Sequence, residues 1–163
     1  MTWEPAWSGP RSGPEWIRYS NGHQVAELLG LETVTSGAEE MTFSLGSTPA
    51  PNPNGGVHGG LLAAALDHAL AVTAMLAMPD DGLPNTAGMN IQYLRPAMPP
   101  LDIRARVTRA GKALVFVRAE VLSNDGKLSA TADGTFAIMD PKVVTNRQSS
   151  DQPNDTPQRL NDR

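Results

Sequence analysis

A glycine-rich turn followed by an isolated carboxylate is the part of this sequence best suited to chemistry. Residues 52–67 read Asn-Pro-Asn-Gly-Gly-Val-His-Gly-Gly-Leu-Leu-Ala-Ala-Ala-Leu-Asp. Glycine lets the backbone approach a ligand closely, and a helix that begins here presents unpaired N–H groups and the positive end of its dipole. Such a turn suits a phosphate or the oxyanion of an acyl-transfer intermediate, although many glycine-rich turns merely start a helix.

The carboxylate is Asp67, which lies in an otherwise apolar helix predicted over Val57 to Met78. An unpaired carboxylate is costly to bury, and groups in such positions often act as bases or nucleophiles; a capped structural Asp is the alternative. His58 and Asp67 are nine positions apart, which is half a turn out of phase and about 13.5 Å along a helix. Two antiparallel helices could bring the turn of one beside the Asp of the other, which favours a site shared across a two-fold dimer.

Composition excludes several other kinds of site. The 163 residues include no cysteine, which removes thiol catalysis, disulfides and thiolate metal ligands. The three histidines lack the spacing of a zinc site, so we expect no metal. A net charge of −4 argues against nucleic acid as the main partner. The apolar stretch Leu61 to Met78 contains Asp67 and His68, which favours a buried helix over a membrane span. Because the first residues carry no signal pattern, we expect a cytoplasmic protein.

The remaining elements are inferred from periodicity. A helix is expected over Glu15 to Leu29 with Gly30 as its stop, and 48–56 is expected to be loop. Alternating apolar and polar residues predict strands with one buried face, and short turns make the last three a meander. The predicted strands are Leu31 to Val34, Met41 to Leu45, Thr86 to Leu94, and approximately 103–108, 115–121 and 128–138.

One apolar helix and one antiparallel sheet with a single apolar face are best satisfied by a curved sheet that wraps around the helix. The fold class is therefore predicted to be α+β. We expect an N-terminal arm over 1–20, a single domain over 21–140 and a disordered polar tail over 141–163. A sheet of this kind leaves an edge uncovered, which invites a partner subunit.

Two motifs lie at the start of the predicted helix and in the strand that follows it. The first is Asn52-x-x-x-x-x-His58-Gly59-Gly60 followed by Asp67, and the second is Thr86-x-x-Met-Asn-Ile-Gln-Tyr-Leu-Arg-Pro96. Both resemble motifs of hotdog-fold acyl-CoA thioesterases of the PaaI-like (phenylacetate-pathway) family. The resemblance covers about Gln24 to Met139. It implies the hotdog fold, in which a curved sheet wraps one long helix, and a homodimer that is often paired into a homotetramer.

The resemblance also implies roles for the residues of the first motif. Asn52 and the Gly59 N–H would bind and polarise the thioester carbonyl, with Gly60 beside the substrate. Asp67 of the partner subunit would be the general base or nucleophile, and Thr86 would hold the attacking water. His58 would support the turn or act directly. His68 has no counterpart in the motif and is interpreted as a packing or interface histidine.

Coenzyme A carries phosphates, so a protein with net negative charge needs a local basic site. The resemblance assigns this contact to Tyr93 and to the turn over 109–114, in which we favour Arg109, Gly111, Lys112 and Leu114. A solvated sheet face is the alternative interpretation for the neighbouring Arg104 and Arg106.

The sequence thus predicts an enzyme that hydrolyses acyl-CoA to a free acid and coenzyme A, without a further cofactor. One alternative is a hotdog hydratase or dehydratase that acts on an enoyl or hydroxyacyl thioester. Another is a non-catalytic acyl-CoA-binding module, which would have no need of Asp67. The acyl group is left open, as is the choice between direct attack by Asp67 and activation of water.

Overall fold

A computed structural model describes residues 12–79 and 82–139. Six antiparallel strands form one sheet in the order β1-β2-β4-β5-β6-β3, and a long helix packs on its apolar face. This is the hotdog arrangement predicted from the sequence. In chain order the elements are α1 (Gly13–Asn21), α2 (Gln24–Leu29), β1 (Leu31–Ser36), β2 (Glu40–Leu45), α3 (Gly59–Met75), β3 (Leu83–Tyr93), β4 (Leu101–Ala110), β5 (Leu114–Leu122) and β6 (Leu128–Met139).

The core lies between α3 and the inner face of the sheet. In β4 the buried residues Leu101, Ile103 and Ala105 alternate with exposed polar ones, as a half-buried strand requires. They pack in one cluster with fully buried leucines of α3, including Leu62 and Leu66. The predicted meander is confirmed, because β4 pairs with β5 and β5 with β6.

Helix α3 is shorter than the predicted span Val57 to Met78. Val57 lies before the helix, where it forms an isolated β-bridge with Pro51 and its N–H donates to Ala97 O at 2.9 Å. His58 is the N-cap, and its Nδ1 accepts the N–H of Gly60 at 3.1 Å. After Met75 the chain changes to tighter i→i−3 hydrogen bonds, such as that from the Met78 N–H to Met75 O at 3.2 Å, so the last predicted turn is not α-helical.

The prediction of one helix over Glu15 to Leu29 is wrong. The chain forms α1 and α2, separated by Gly22 and by His23, whose extended backbone caps α2. Gly30 ends α2 in the left-handed conformation with φ 66°, as expected of a glycine stop.

Strand β3 begins at Leu83, earlier than predicted, and forms an edge of the sheet beside β6. Helix α1 packs on β1 at the other edge and spans the predicted boundary between residues 20 and 21. The predicted arm lies outside the described residues except for 12–20, and so does the predicted tail. Within the described ranges, no helix has the length and hydropathy needed to cross a membrane.

Candidate active site

The loop before α3 is folded by the side chain of Asn52. Its Oδ1 accepts the N–H groups of Asn54 and Gly56, each at 3.0 Å, and its Nδ2 donates to Val57 O at 3.5 Å. Gly55 completes the turn with φ 80°, a conformation that favours glycine. Asn52 therefore shapes the turn, and its contact with a thioester carbonyl stays a prediction.

Gly59 is the first residue of α3 and carries the amide expected to meet the substrate. No hydrogen bond joins its N–H to another residue in the described part of the chain. Its carbonyl accepts the hydroxyl of Tyr93 at 2.8 Å. The Tyr93 ring lies 3.6 Å from the position that a Cβ of Gly59 would occupy. Tyr93 thus holds the peptide that directly follows the expected donor, a contact that sequence spacing could not indicate.

Asp67 and Thr86 are brought together within one chain, whereas the role of Thr86 in holding the attacking water stays a prediction. The Thr86 hydroxyl donates to Asp67 Oδ1 at 2.9 Å, which joins α3 to the edge strand β3. Asp67 is half-buried rather than enclosed. It lies eight residues beyond Gly59, about 12 Å further along the helix axis. One chain therefore does not place Asp67 beside the Gly59 N–H.

A cavity of about 350 Å³ opens beside Gly59 and is large enough for part of a small-molecule ligand. Asn52, Gly59 and Tyr93 line it together with apolar side chains, among them Leu62 and Leu94. Three of the predicted site residues thus line this cavity, whereas Asp67 of the same chain does not.

The predicted coenzyme A turn lies at the opposite end of the sheet from Gly59. Ala113 O accepts the N–H of Ile138, and Leu83 pairs with Met139 at the same end. Gly59 is instead beside Tyr93, ten residues further along β3, or about 33 Å. In this turn the space beside Gly111 is tight, because a Cβ there would lie 3.3 Å from the carbonyl oxygen of Leu114. Arg109, Lys112 and Leu114 could serve this cavity only from a second subunit.

His68 points away from Asp67 into a buried polar cluster. Its Nε2 lies 3.1 Å from Ser20 Oγ, which accepts the hydroxyl of Thr33 at 2.6 Å. Burial, aided by the neighbouring His23, lowers the pKa of His68 from 6.5 to about 4. His68 is therefore neutral near pH 7. Its predicted packing role is confirmed, whereas its hydrogen-bonding partners had no signal in the sequence.

Comparison with known proteins shows which family this chain resembles. The sequence profile of the thioesterase superfamily matches residues 54–130. A Saccharolobus solfataricus protein, SSO2140, whose name assigns it provisionally as an esterase, is 34% identical over 92 residues. That match covers 55% of this chain and 64% of the relative, so the chain spans less than two thirds of the relative's length.

Solved structures extend the likeness over more of the chain. A Ralstonia eutropha JMP134 protein, described provisionally as a thioesterase related to phenylacetic acid degradation, is 34% identical with a TM-score of 0.67; the match covers 75% of this chain and 98% of that one. A conserved Pseudomonas aeruginosa protein, PA5202, is 30% identical over the same shares of the two chains, with a TM-score of 0.68. A thioesterase family protein from Silicibacter pomeroyi shares the fold, with a TM-score of 0.71, 23% identity and coverage of 77% and 97%. With the profile match and these relatives together, the chain belongs to the thioesterase superfamily and has its hotdog fold.

Proposed function

We propose that this protein hydrolyses acyl-CoA thioesters in an active site formed by two copies of the chain. One observation carries the proposal. The Gly59 N–H and the Asp67–Thr86 pair are both arranged for chemistry, yet one chain keeps them about 12 Å apart along α3. A second copy is the simplest source of the missing half of each site.

The open edge of the sheet supports this arrangement. β3 has β6 on one side and no strand on the other among the described residues, and 85–88 are exposed. Antiparallel pairing of two β3 strands would set the Thr86 half of one beside the Tyr93 half of the other. The partner subunit's Asp67 would then approach Gly59, and the partner's turn over 109–114 would approach the same cavity.

The groups suit acyl transfer to water. The Gly59 N–H, with Asn52 beside it, would donate to the thioester oxygen as it gains negative charge. The partner subunit's Asp67 would take a proton from water as the water oxygen bonds to the acyl carbon. The carbon–sulfur bond then breaks and the thiolate receives that proton. Direct attack by Asp67 through an anhydride uses the same carboxylate, and the Thr86 hydroxyl would steady Asp67 in either route.

Thiol release from a panel of acyl-CoAs tests the reaction class. Asp67→Asn keeps the shape of the side chain and should lower kcat at least 100-fold, the usual contribution of a positioned base. A change in enoyl absorbance without thiol release would instead indicate hydration. Tight binding with neither signal would indicate a binding module, and full activity in Asp67→Asn would refute the mechanism.

Mixed dimers test whether the site is shared. Gly59→Pro removes the N–H at the first helical position, where proline is tolerated, and His58 already has the extended ψ of 133° that precedes proline. Gly59→Ala keeps the N–H and is the matched control. Gly59→Pro and Asp67→Asn should each be inactive alone.

Mixing the two inactive proteins equally, with exchange of subunits, should restore about a quarter of wild-type activity, because half of the dimers are mixed and each has one intact site. No recovery, despite verified exchange, would place the complete site within one chain.

A further inference from the structure

A second cavity, of about 570 Å³, adjoins the cavity beside Gly59. The two cavities share Arg95 and Pro96 in their walls, so they lie side by side. The second is called here the 95–127 cleft, because Arg95 and Lys127 are its two basic residues. No pattern in the sequence indicates this cleft, because its walls come from three separate segments.

The walls of the 95–127 cleft are fixed to one another before any ligand binds. The loop before α3, the segment that follows β3 and the turn between β5 and β6 are joined through backbone groups. A site built in this way loses little entropy when it binds. The bonds run from the Val57 N–H to Ala97 O at 2.9 Å, from the Leu94 N–H to Ser129 O at 2.8 Å, and from the Asn124 N–H to Met98 O at 3.1 Å.

The side chains in the cleft have unused bonding capacity. Arg95 is exposed, and its guanidinium forms no ion pair with another residue in the described ranges. Neither the Asn54 nor the Asn124 side-chain amide hydrogen-bonds to any described residue. Lys127 Nζ lies 2.8 Å from Asp125 Oδ2, which leaves two of its hydrogens for another acceptor. Carboxamides suit an amide-bearing chain, and guanidinium and ammonium groups suit phosphate.

We propose that the 95–127 cleft binds the phosphopantetheine arm of the thioester substrate. The amides of the arm would lie against Asn54 and Asn124, and its phosphate would lie between Arg95 and Lys127. The proposal rests on the proposed function, because the acyl carbon must lie at Gly59 for the arm to extend past Arg95. The same arm occurs in coenzyme A and on acyl carrier proteins, and the cleft chemistry fits both sources.

Calorimetric binding of 4′-phosphopantetheine and of pantetheine, which differ by one phosphate, tests the cleft without any hydrolysis. Arg95→Gln and Lys127→Gln should each raise the Kd for 4′-phosphopantetheine about tenfold, the usual effect of losing one charged hydrogen bond, and change the Kd for pantetheine less than about twofold. Arg106→Gln, an exposed arginine outside the cleft, is the control and should change neither.

Three results would overturn the proposal. The Kd for 4′-phosphopantetheine could be unchanged in Arg95→Gln, or the variant could weaken the binding of both ligands equally. Either result would show that the phosphate is not at Arg95. Finally, only Lys112→Gln could reduce the difference in Kd between 4′-phosphopantetheine and pantetheine, which would place the phosphate at the turn over 109–114.

Asp125→Asn gives a test of opposite sign. The carboxylate competes with a phosphate for Lys127, whereas an amide oxygen keeps the hydrogen bond from the Lys127 N–H, now 3.1 Å. The Kd for 4′-phosphopantetheine should fall about two- to threefold, as expected for removal of one exposed like charge. Unchanged or weaker binding would contradict a phosphate at Lys127.

Kinetics then identify the source of the arm and separate this proposal from the proposed function. The kcat/KM for acyl-CoA and for an acylated carrier protein is compared with that for acyl-N-acetylcysteamine, which lacks the phosphate. If Arg95→Gln lowers kcat/KM for only one of the two phosphorylated substrates, that substrate is the source of the arm. Phosphate-dependent binding without hydrolysis of any thioester contradicts only the proposed function. If the protein hydrolyses thioesters with the same kcat/KM in wild type and Arg95→Gln, only the proposed role of the cleft is contradicted.

Discussion

Acid should destabilise the fold through His68, and the size of the effect follows from its surroundings. The side chain is 7% exposed and lies 3.1 Å from Ser20 Oγ. Ser20 Oγ already accepts the Thr33 hydroxyl, so its own hydrogen is available to the neutral imidazole. Burial and His23 lower the pKa of His68 to about 4, whereas an unfolded chain restores it to 6.5.

The sign and magnitude come from proton linkage. Below pH 6.5 the unfolded chain binds a proton that the folded chain resists, so stability falls as the pH drops from 6.5 towards 4. A difference of 2.5 between the two pKa values corresponds to about 3 kcal/mol in full. About 2 kcal/mol of this should already be lost at pH 5.

Urea unfolding of wild type and His68→Gln at pH 7 and pH 5, at one protomer concentration, measures the effect. Glutamine can still bond to Ser20 but does not titrate. Between pH 7 and pH 5, the free energy of unfolding of the wild type should fall by about 2 kcal/mol more than that of the variant. The reasoning is refuted if both proteins lose the same amount, or if the His68 ring titrates with a midpoint near 6.5 by NMR.

Two further substitutions test the site and the core. Tyr93→Phe removes the 2.8 Å hydrogen bond to the Gly59 carbonyl. Measured by thiol release, kcat should fall about fivefold with little change in KM. A change in KM alone would show that Tyr93 binds substrate instead. Gly134→Ala would put a Cβ 2.7 Å from a ring carbon of Phe136 and should cost about 1–3 kcal/mol in urea unfolding. Gly46→Ala, where a Cβ meets nothing within 4 Å, should stay within about 0.5 kcal/mol, and equal losses in the two would contradict the packing argument.

The parts of the fold that depend on local pattern could be predicted from the sequence. The alternation around Ile103 and Val117 indicates two half-buried strands, and the short turn at Gly111 makes them neighbours. The helix over Glu15 to Leu29 was predicted as one because its residues suit a helix throughout. The break at Gly22 lets the His23 ring meet the His68 ring edge-to-face, a contact between residues far apart in the chain.

The same distinction holds for the candidate site. The cap that His58 makes to Gly60 spans two residues and belongs to a motif visible in the sequence. The bond from Tyr93 to Gly59 joins residues 34 positions apart, so no spacing rule indicates it. The 95–127 cleft depends on how three segments meet, which only the folded chain shows.

The side chain of Asn21 makes the two edges of the sheet differ in how freely they can pair with another strand. Its Oδ1 accepts the Thr33 N–H at 2.7 Å and its Nδ2 donates to Thr33 O at 3.4 Å, so one amide occupies both outward backbone groups of that residue. It imitates a single residue of an absent neighbouring strand. Asn21 thus blocks strand pairing at Thr33 of β1, whereas the outer edge of β3 has no neighbouring strand among the described residues. If two copies pair through β3 as proposed, the covered backbone groups of Thr33 would oppose the addition of a further sheet at the β1 edge.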